Sequence, residues 1–122
     1  MLAGAATIFT VRDIGASLAY YRDMLGFDVT FQYGEPTYYA CLCRDDVVVH
    51  LRAASENAGW VPGNGTIAVF VTDVDALHAE LAARGARVLK PPQDYAYGMR
   101  DFGVADLDGN QLTFGMESRP AA

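Results

Sequence analysis

The apolar and polar positions of this chain run through one pattern and then repeat it. A short alternating stretch ending at Val11 leads to Asp13, then to an apolar stripe at steps of three and four residues, Leu18, Tyr21 and Leu25, which stops at Gly26. The second copy ends its stretch at Val71, passes Asp73, carries Val74, Leu77 and Leu81, and stops at Gly85. Thr10-Val11-Arg12-Asp13-Ile14 thus recurs as Phe70-Val71-Thr72-Asp73-Val74, sixty positions later when Asp13 is subtracted from Asp73. A fixed internal period is read before any motif, because it sets the architecture. Apolar steps of three and four predict helices over Ser17 to Leu25 and Ala76 to Arg84. Asp13 and Asp73 stand where a carboxylate caps a helix start, and Gly26 and Gly85 suit the left-handed residue that ends one.

After each helix the pattern reads as three strands. They fall at Asp28 to Tyr33, Thr37 to Cys43 and Val47 to Arg52, then at Arg87 to Lys90, Arg100 to Ala105 and Gln111 to Met116. Arg44-Asp45-Asp46 and Asp106-Leu107-Asp108-Gly109-Asn110 supply the turns, rich in residues that accept turn dihedrals. The unit is βαβββ, written twice. Module one is expected at about residues 5–53, a linker with Gly59, Pro62, Gly63 and Gly65 at 54–65, and module two at about 66–117.

Composition narrows the functions. With 122 residues, 52% of them apolar, the chain has the size of a single domain with a buried core. Stretches such as Val47–Val49 are too short to cross a bilayer, and the first residues lack the basic, long-apolar pattern of a secretory leader, so a cytoplasmic protein is expected. Cys41 and Cys43, two apart on one strand, point to opposite faces and are expected to stay reduced. A net charge of -6 argues against nucleic acid and anionic membranes. It suits a cationic or polar small partner, and more simply plain solubility.

The residues Val11-Arg12-Asp13, Ser17, Tyr20-Tyr21-Arg22-Asp23 and Leu25-Gly26-Phe27, followed late in the chain by Tyr97-Gly98-Met99-Arg100-Asp101-Phe102 and Asp106-Leu107-Asp108-Gly109-Asn110, resemble the glyoxalase, bleomycin-resistance and dioxygenase superfamily, the vicinal-oxygen-chelate proteins. The resemblance spans nearly the whole chain. One departure is Leu107, where the family's terminal turn usually has proline. The implied fold is α+β: two tandem βαβββ modules forming curved mixed sheets around a cleft, with the helices outside. Period-two alternation then turns Phe9, Val11, Val49, Leu51, Leu112 and Phe114 toward the helices, and Ile8, Thr10, His50, Arg52, Phe70 and Thr113 toward the cleft.

Metalloenzymes of this superfamily place one ligand on each of four strands. Carried over by motif spacing, those positions are Ala6, His50, Thr66 and Thr113. One imidazole and two neutral hydroxyls are a poor donor set for zinc, iron or nickel, so no metal and no cofactor is expected. No nucleophile elbow, phosphate loop or dinucleotide fingerprint replaces the missing metal. The resemblance points instead to the metal-free bleomycin-resistance proteins: a binder of a planar or cationic antibiotic of the bleomycin type, without chemistry.

The residues expected to line the groove are Trp60 in the linker and Tyr97 before Gly98, which match aromatic positions flanking the drug in those relatives, together with His50, Phe70, Tyr39, Arg52 and Arg100. Each has a bland reading. Tyr38 and Tyr39 face opposite ways, so at most one reaches the groove; His50 reads more readily as a hydrogen-bonded interior histidine; the arginines as partners of Asp101 or Asp45; Trp60 as the staple of a subunit interface. Tyr20 and Tyr21 are expected in the core, and His78 on the helix surface. A symmetric homodimer is expected, with the grooves between chains. The rival readings are a glyoxalase- or dioxygenase-type lyase or oxidoreductase using His50 with water or substrate as the other donors, and a non-catalytic accessory subunit.

Overall fold

A computed structural model of the chain describes residues 1–118. The elements follow the order β1 (Thr7–Val11), α1 (Ile14–Asp23), β2 (Asp28–Tyr33), β3 (Tyr39–Arg44), β4 (Val47–Ala53), β5 (Thr66–Phe70), α2 (Val74–Arg84), β6 (Arg87–Asp94), β7 (Met99–Ala105) and β8 (Gln111–Glu117). Two four-stranded mixed sheets result, ordered β1-β4-β3-β2 and β5-β8-β7-β6. In each, the outer strand β1 or β5 runs parallel to its neighbour, and the other pairs are antiparallel. The α+β double module is therefore present as read from the repeat.

Local chemistry explains both helices. Asp13 and Asp73 accept from the backbone N–H of Ala16 and Ala76, each at 3.0 Å, satisfying a donor the helix leaves open. Gly85 ends α2 with φ 93. In α1 the last capping residue is Met24, and Gly26, with φ 73, stands two residues beyond it. Both helices begin right after their caps, at Ile14 and Val74, earlier than the Ser17 and Ala76 starts expected, and both first residues are buried.

Proline changes one boundary. β6 continues past Lys90 to Asp94, carrying Pro91 and Pro92. It is an edge strand, where a missing backbone N–H is tolerated, and its register shifts between Lys90 and Gln93.

One core holds the molecule together. Phe9, Val11, Val49 and Leu51 of the first sheet and Val69, Phe102, Val104, Leu112 and Phe114 of the second join Leu18, Tyr21 and Leu81 of the helices in a single buried cluster. Polar ties join the modules as well. Tyr20 donates its hydroxyl to the Ala105 carbonyl at 2.7 Å and accepts from the Arg87 N–H at 2.9 Å. Asn110 donates to the Thr10 carbonyl at 3.0 Å. His78 is half-buried edge-on against Phe102 at 5.3 Å, packed rather than solvated as expected, and on the helix side of its sheet.

Candidate functional site

Each sheet buries one face under the helices and leaves the other uncovered, and the uncovered faces carry the rings. On the first sheet, Tyr39 pairs across the strands with Arg52, Cys41 with His50, and Ile8 and Thr10 of β1 with His50 and Arg52. These residues share a face because strand side chains alternate. The Tyr39 hydroxyl lies 2.8 Å from His50 Nδ1, with the rings edge-on at 5.5 Å. Partial burial holds the Tyr39 hydroxyl above the ordinary phenol range. Arg52 donates Nε–H to the Thr10 hydroxyl at 2.9 Å, and its guanidinium carbon sits 4.2 Å from the centre of the Trp60 ring. Trp60 is held in the linker by two backbone bonds with Ser55, at 2.9 and 3.1 Å.

Phe31 and Tyr33 extend this wall, and the sequence reading missed them. They stack at 6.3 Å with an angle of 16° between planes, and Tyr38 meets Tyr33 edge-on at 5.5 Å. The cause is a bulge: Val29 pairs with Leu42 on the core face, while Phe31 pairs with Cys41 on the uncovered one. Strict period-two counting would put Val29 and Phe31 on one side; the inserted residue turns Phe31 over. A Phe-X-Tyr step near the end of a strand was the available signal.

The second sheet bears another ring group. Tyr95 and Tyr97 stack at 5.2 Å, only 7° from parallel, in a tight turn closed by the Gly98 N–H on the Tyr95 carbonyl at 3.0 Å. Gly98 has φ 90, which a side chain would strain. Tyr97 donates its hydroxyl to Asp101 Oδ2 at 3.2 Å, and the Lys90 ammonium lies 2.8 Å from Asp101 Oδ1 and 2.9 Å from the Tyr95 hydroxyl. Asp101, almost fully buried, and the Tyr95 hydroxyl raise the pKa of Lys90 and keep it charged. The bulge between Val88 and Lys90 aims Lys90 at this face, as its counterpart aims Phe31.

Phe70, at the end of β5, is 82% exposed. It borders a cavity of about 520 Å³ lined also by Leu25, Arg44, Val69, Glu80 and Phe114. It also borders a second one, of about 510 Å³, with Ala6, Val48 and Ala68. Neither is lined by Trp60, His50 or Tyr97. Arg100 lies elsewhere: it shares the helix-side face of β7 with Phe102 and binds Asp75 of α2 at 2.7 and 3.0 Å and Asp94 at 3.3 Å. Tyr39, His50, Arg52 and Trp60 are thus brought together, and Tyr97 belongs to the second group. Among the described residues, no hydrogen bond, ion pair or ring contact joins the two groups.

A transition metal does not suit this face. Of the four ligand positions, Ala6 has no donor, Thr66 and Thr113 offer neutral hydroxyls, and His50 has Nδ1 engaged by Tyr39, leaving Nε2. Among the described residues, no three His, Cys, Asp or Glu side chains gather to hold an ion. What the faces offer is ring area, worth about 0.5–1.5 kcal/mol per aromatic contact beyond area burial. No described helix is long and apolar enough to cross a membrane.

Comparison with known proteins agrees with this architecture. The family model of the Glyoxalase/Bleomycin resistance protein/Dioxygenase superfamily matches residues 5–114. An uncharacterised protein of Mycolicibacterium smegmatis is 31% identical over 107 residues, 88% of this chain and 87% of its own. The crystal structure of the bleomycin-binding protein from the bleomycin producer Streptomyces verticillus, complexed with copper(II)-bleomycin, has a TM-score of 0.79 at 26% identity and covers 98% of both chains. A superfamily member from Sphaerobacter thermophilus gives 0.80 at 26%, covering 96% of this chain and 98% of its own. With its doubled βαβββ unit, its capped helices and a family match over most of its length, the chain belongs to the glyoxalase, bleomycin-resistance protein and dioxygenase superfamily.

Proposed function

We propose that this protein is a stoichiometric small-molecule binder that sequesters an antibiotic of the bleomycin type, or another planar natural product, without transforming it. The observation that carries the reading is the chemistry of the uncovered faces: they are built from Trp60, Tyr39, Tyr95 and Tyr97, and the single imidazole among them is already bonded to Tyr39. Rings held in place by hydrogen bonds lower the ordering cost of binding a flat ligand. The likeness to a bleomycin-binding protein supports the same reading. Two free cysteines suit a reducing compartment, the cytoplasm.

The reading includes a homodimer. The Trp60 group and the Tyr97 group stand apart within one chain, and a two-fold partner would set the first group of one protomer against the second group of the other, giving two identical grooves. Calorimetric titration with bleomycin, metal-free and copper-loaded, and with other planar natural products tests the function. Saturation near one ligand per chain supports it, and no binding by any of them sinks it. A metal-dependent lyase or oxidoreductase would instead show stoichiometric nickel, iron, zinc or manganese in protein purified without chelator.

A further inference from the structure

We infer that the uncovered face of the first sheet recognises the carboxylate of a planar aromatic acid, with Arg52 as the group that reads it. This rests on the binding role proposed above and narrows it to planar natural products that carry an acid, away from cationic ones.

The chain pairs most of its described cations with carboxylates. It carries 15 Asp and Glu against nine Lys and Arg, so acidic partners are plentiful. Among the described residues, Arg12, Arg22, Arg44, Arg84, Arg100 and Lys90 each meet a carboxylate, and Arg87 donates to the Asp106 carbonyl at 2.7 Å. Arg52, like Arg87, meets no described carboxylate. Its Nε–H goes to the Thr10 hydroxyl, and its two terminal nitrogens meet no described acceptor. The residue is half-buried on a face of rings. The terminal N–H groups are not buried and face solvent, and an arriving carboxylate would replace that solvent with charge-assisted bonds.

Orientation makes the residue selective. A guanidinium lying on an indole is held by its face and offers N–H groups at its edge, in the fork that fits a carboxylate bidentately. With the Trp60 contact on one side and Nε tied to Thr10, the terminal edge is the part left open. Tyr39, directly across the strands, and His50, two residues earlier on β4, place ring surface beside that edge, and Phe31 and Tyr33 continue it. A flat ring system ending in an acid matches both parts. The cationic partner suggested by net charge does not, because the cations Arg52 and Lys90 stand at the two ring groups and the carboxylate beside Lys90 is buried and paired.

The test uses one ring system with three charges. The full chain is titrated by fluorescence with 1-pyrenecarboxylate, 1-pyrenecarboxamide and 1-pyrenemethylammonium. The carboxylate is expected to bind about ten- to a hundredfold more tightly than the other two. Arg52→Met should erase that preference, and Arg52→Lys, which keeps the charge and loses the fork, should retain part of it; melting curves of both variants establish that they fold. Equal binding of all three by the unaltered protein, or a preference that survives in a folded Arg52→Met, overturns the inference while leaving planar-ligand binding intact. Saturable binding by none of the three overturns the inference, and the bleomycin titration then decides the binding role separately.

Discussion

The hydroxyl of Tyr21, fully buried on α1, donates to Oδ2 of Asp106 at 2.9 Å and so ties the first module's helix to the second module's last turn. Asp106 also accepts from the backbone N–H groups of Asp108 and Asn110 and from the Asn110 side chain, each at 2.9 Å. Burial, reinforced by the negative Asp106, pushes the Tyr21 phenol well above its ordinary pKa and keeps the donor protonated. Tyr21→Phe should therefore cost about 1–3 kcal/mol in urea denaturation, and Asp106→Ala more, since it strands four donors at once. A Tyr21→Phe protein within about 0.5 kcal/mol of the parent would show that this bond does not hold the modules together.

A second tie between the modules is electrostatic. Arg44, at the end of β3, meets both carboxylate oxygens of Glu80 on α2 at 2.8 Å, and Arg84 adds a bond at 3.0 Å. The bond to Arg44 is the largest cause lowering the Glu80 pKa below its ordinary 4.5. A depressed folded-state pKa contributes stability above the unfolded value and loses it as pH falls through the folded value. Glu80→Gln should thus destabilise at pH 7 by about 1 kcal/mol or less, because the pair is partly exposed and screened, and the difference should fade below 4.5. A difference unchanged down to the acid transition would contradict this.

Two glycines of the linker separate backbone strain from packing. Gly63 has φ 89, and a Cβ there would run into the Asp108 carbonyl oxygen; Gly59 has φ 71 and meets nothing within 4 Å. Gly59→Ala is expected to cost about 1 kcal/mol from the left-handed backbone alone, and Gly63→Ala clearly more, read as melting temperatures side by side. Equal shifts would mean that the linker yields and the contact is unimportant.

The proposed dimer, with its grooves shared between protomers, predicts a rescue by mixing. Trp60→Ala and Tyr97→Ala should each weaken ligand binding in the pure homodimer. Co-refolding the two at equal amounts should restore about a quarter of the grooves, since about half the dimers are mixed and each mixed dimer has one groove with both rings. No recovery, in a mixture shown to be dimeric, would mean that the two rings do not share a groove across the interface.

How much of this was legible in the sequence depends on the range of the interaction concerned. The caps Asp13 and Asp73, the apolar stripes and the repeat express contacts within a few residues, and they specified the elements and the doubled fold. Alternation sent Phe9, Val49, Leu51 and Leu112 inward and His50 and Arg52 to the other face, as the strand pairing has them. Chain pairing decided the rest. The bulges that turn Phe31 and Lys90 onto the ring-bearing faces depend on which residue of a partner strand takes each hydrogen bond, and counting along one strand cannot show an inserted residue. The commitment of Arg100 to Asp75, and the isolation of Arg52 on Trp60, follow from contacts 25 and eight residues away in the chain, made only when strands and linker have folded against one another. Composition counts charges but not their partners, so only the tertiary structure could say which of the described cations meet a carboxylate.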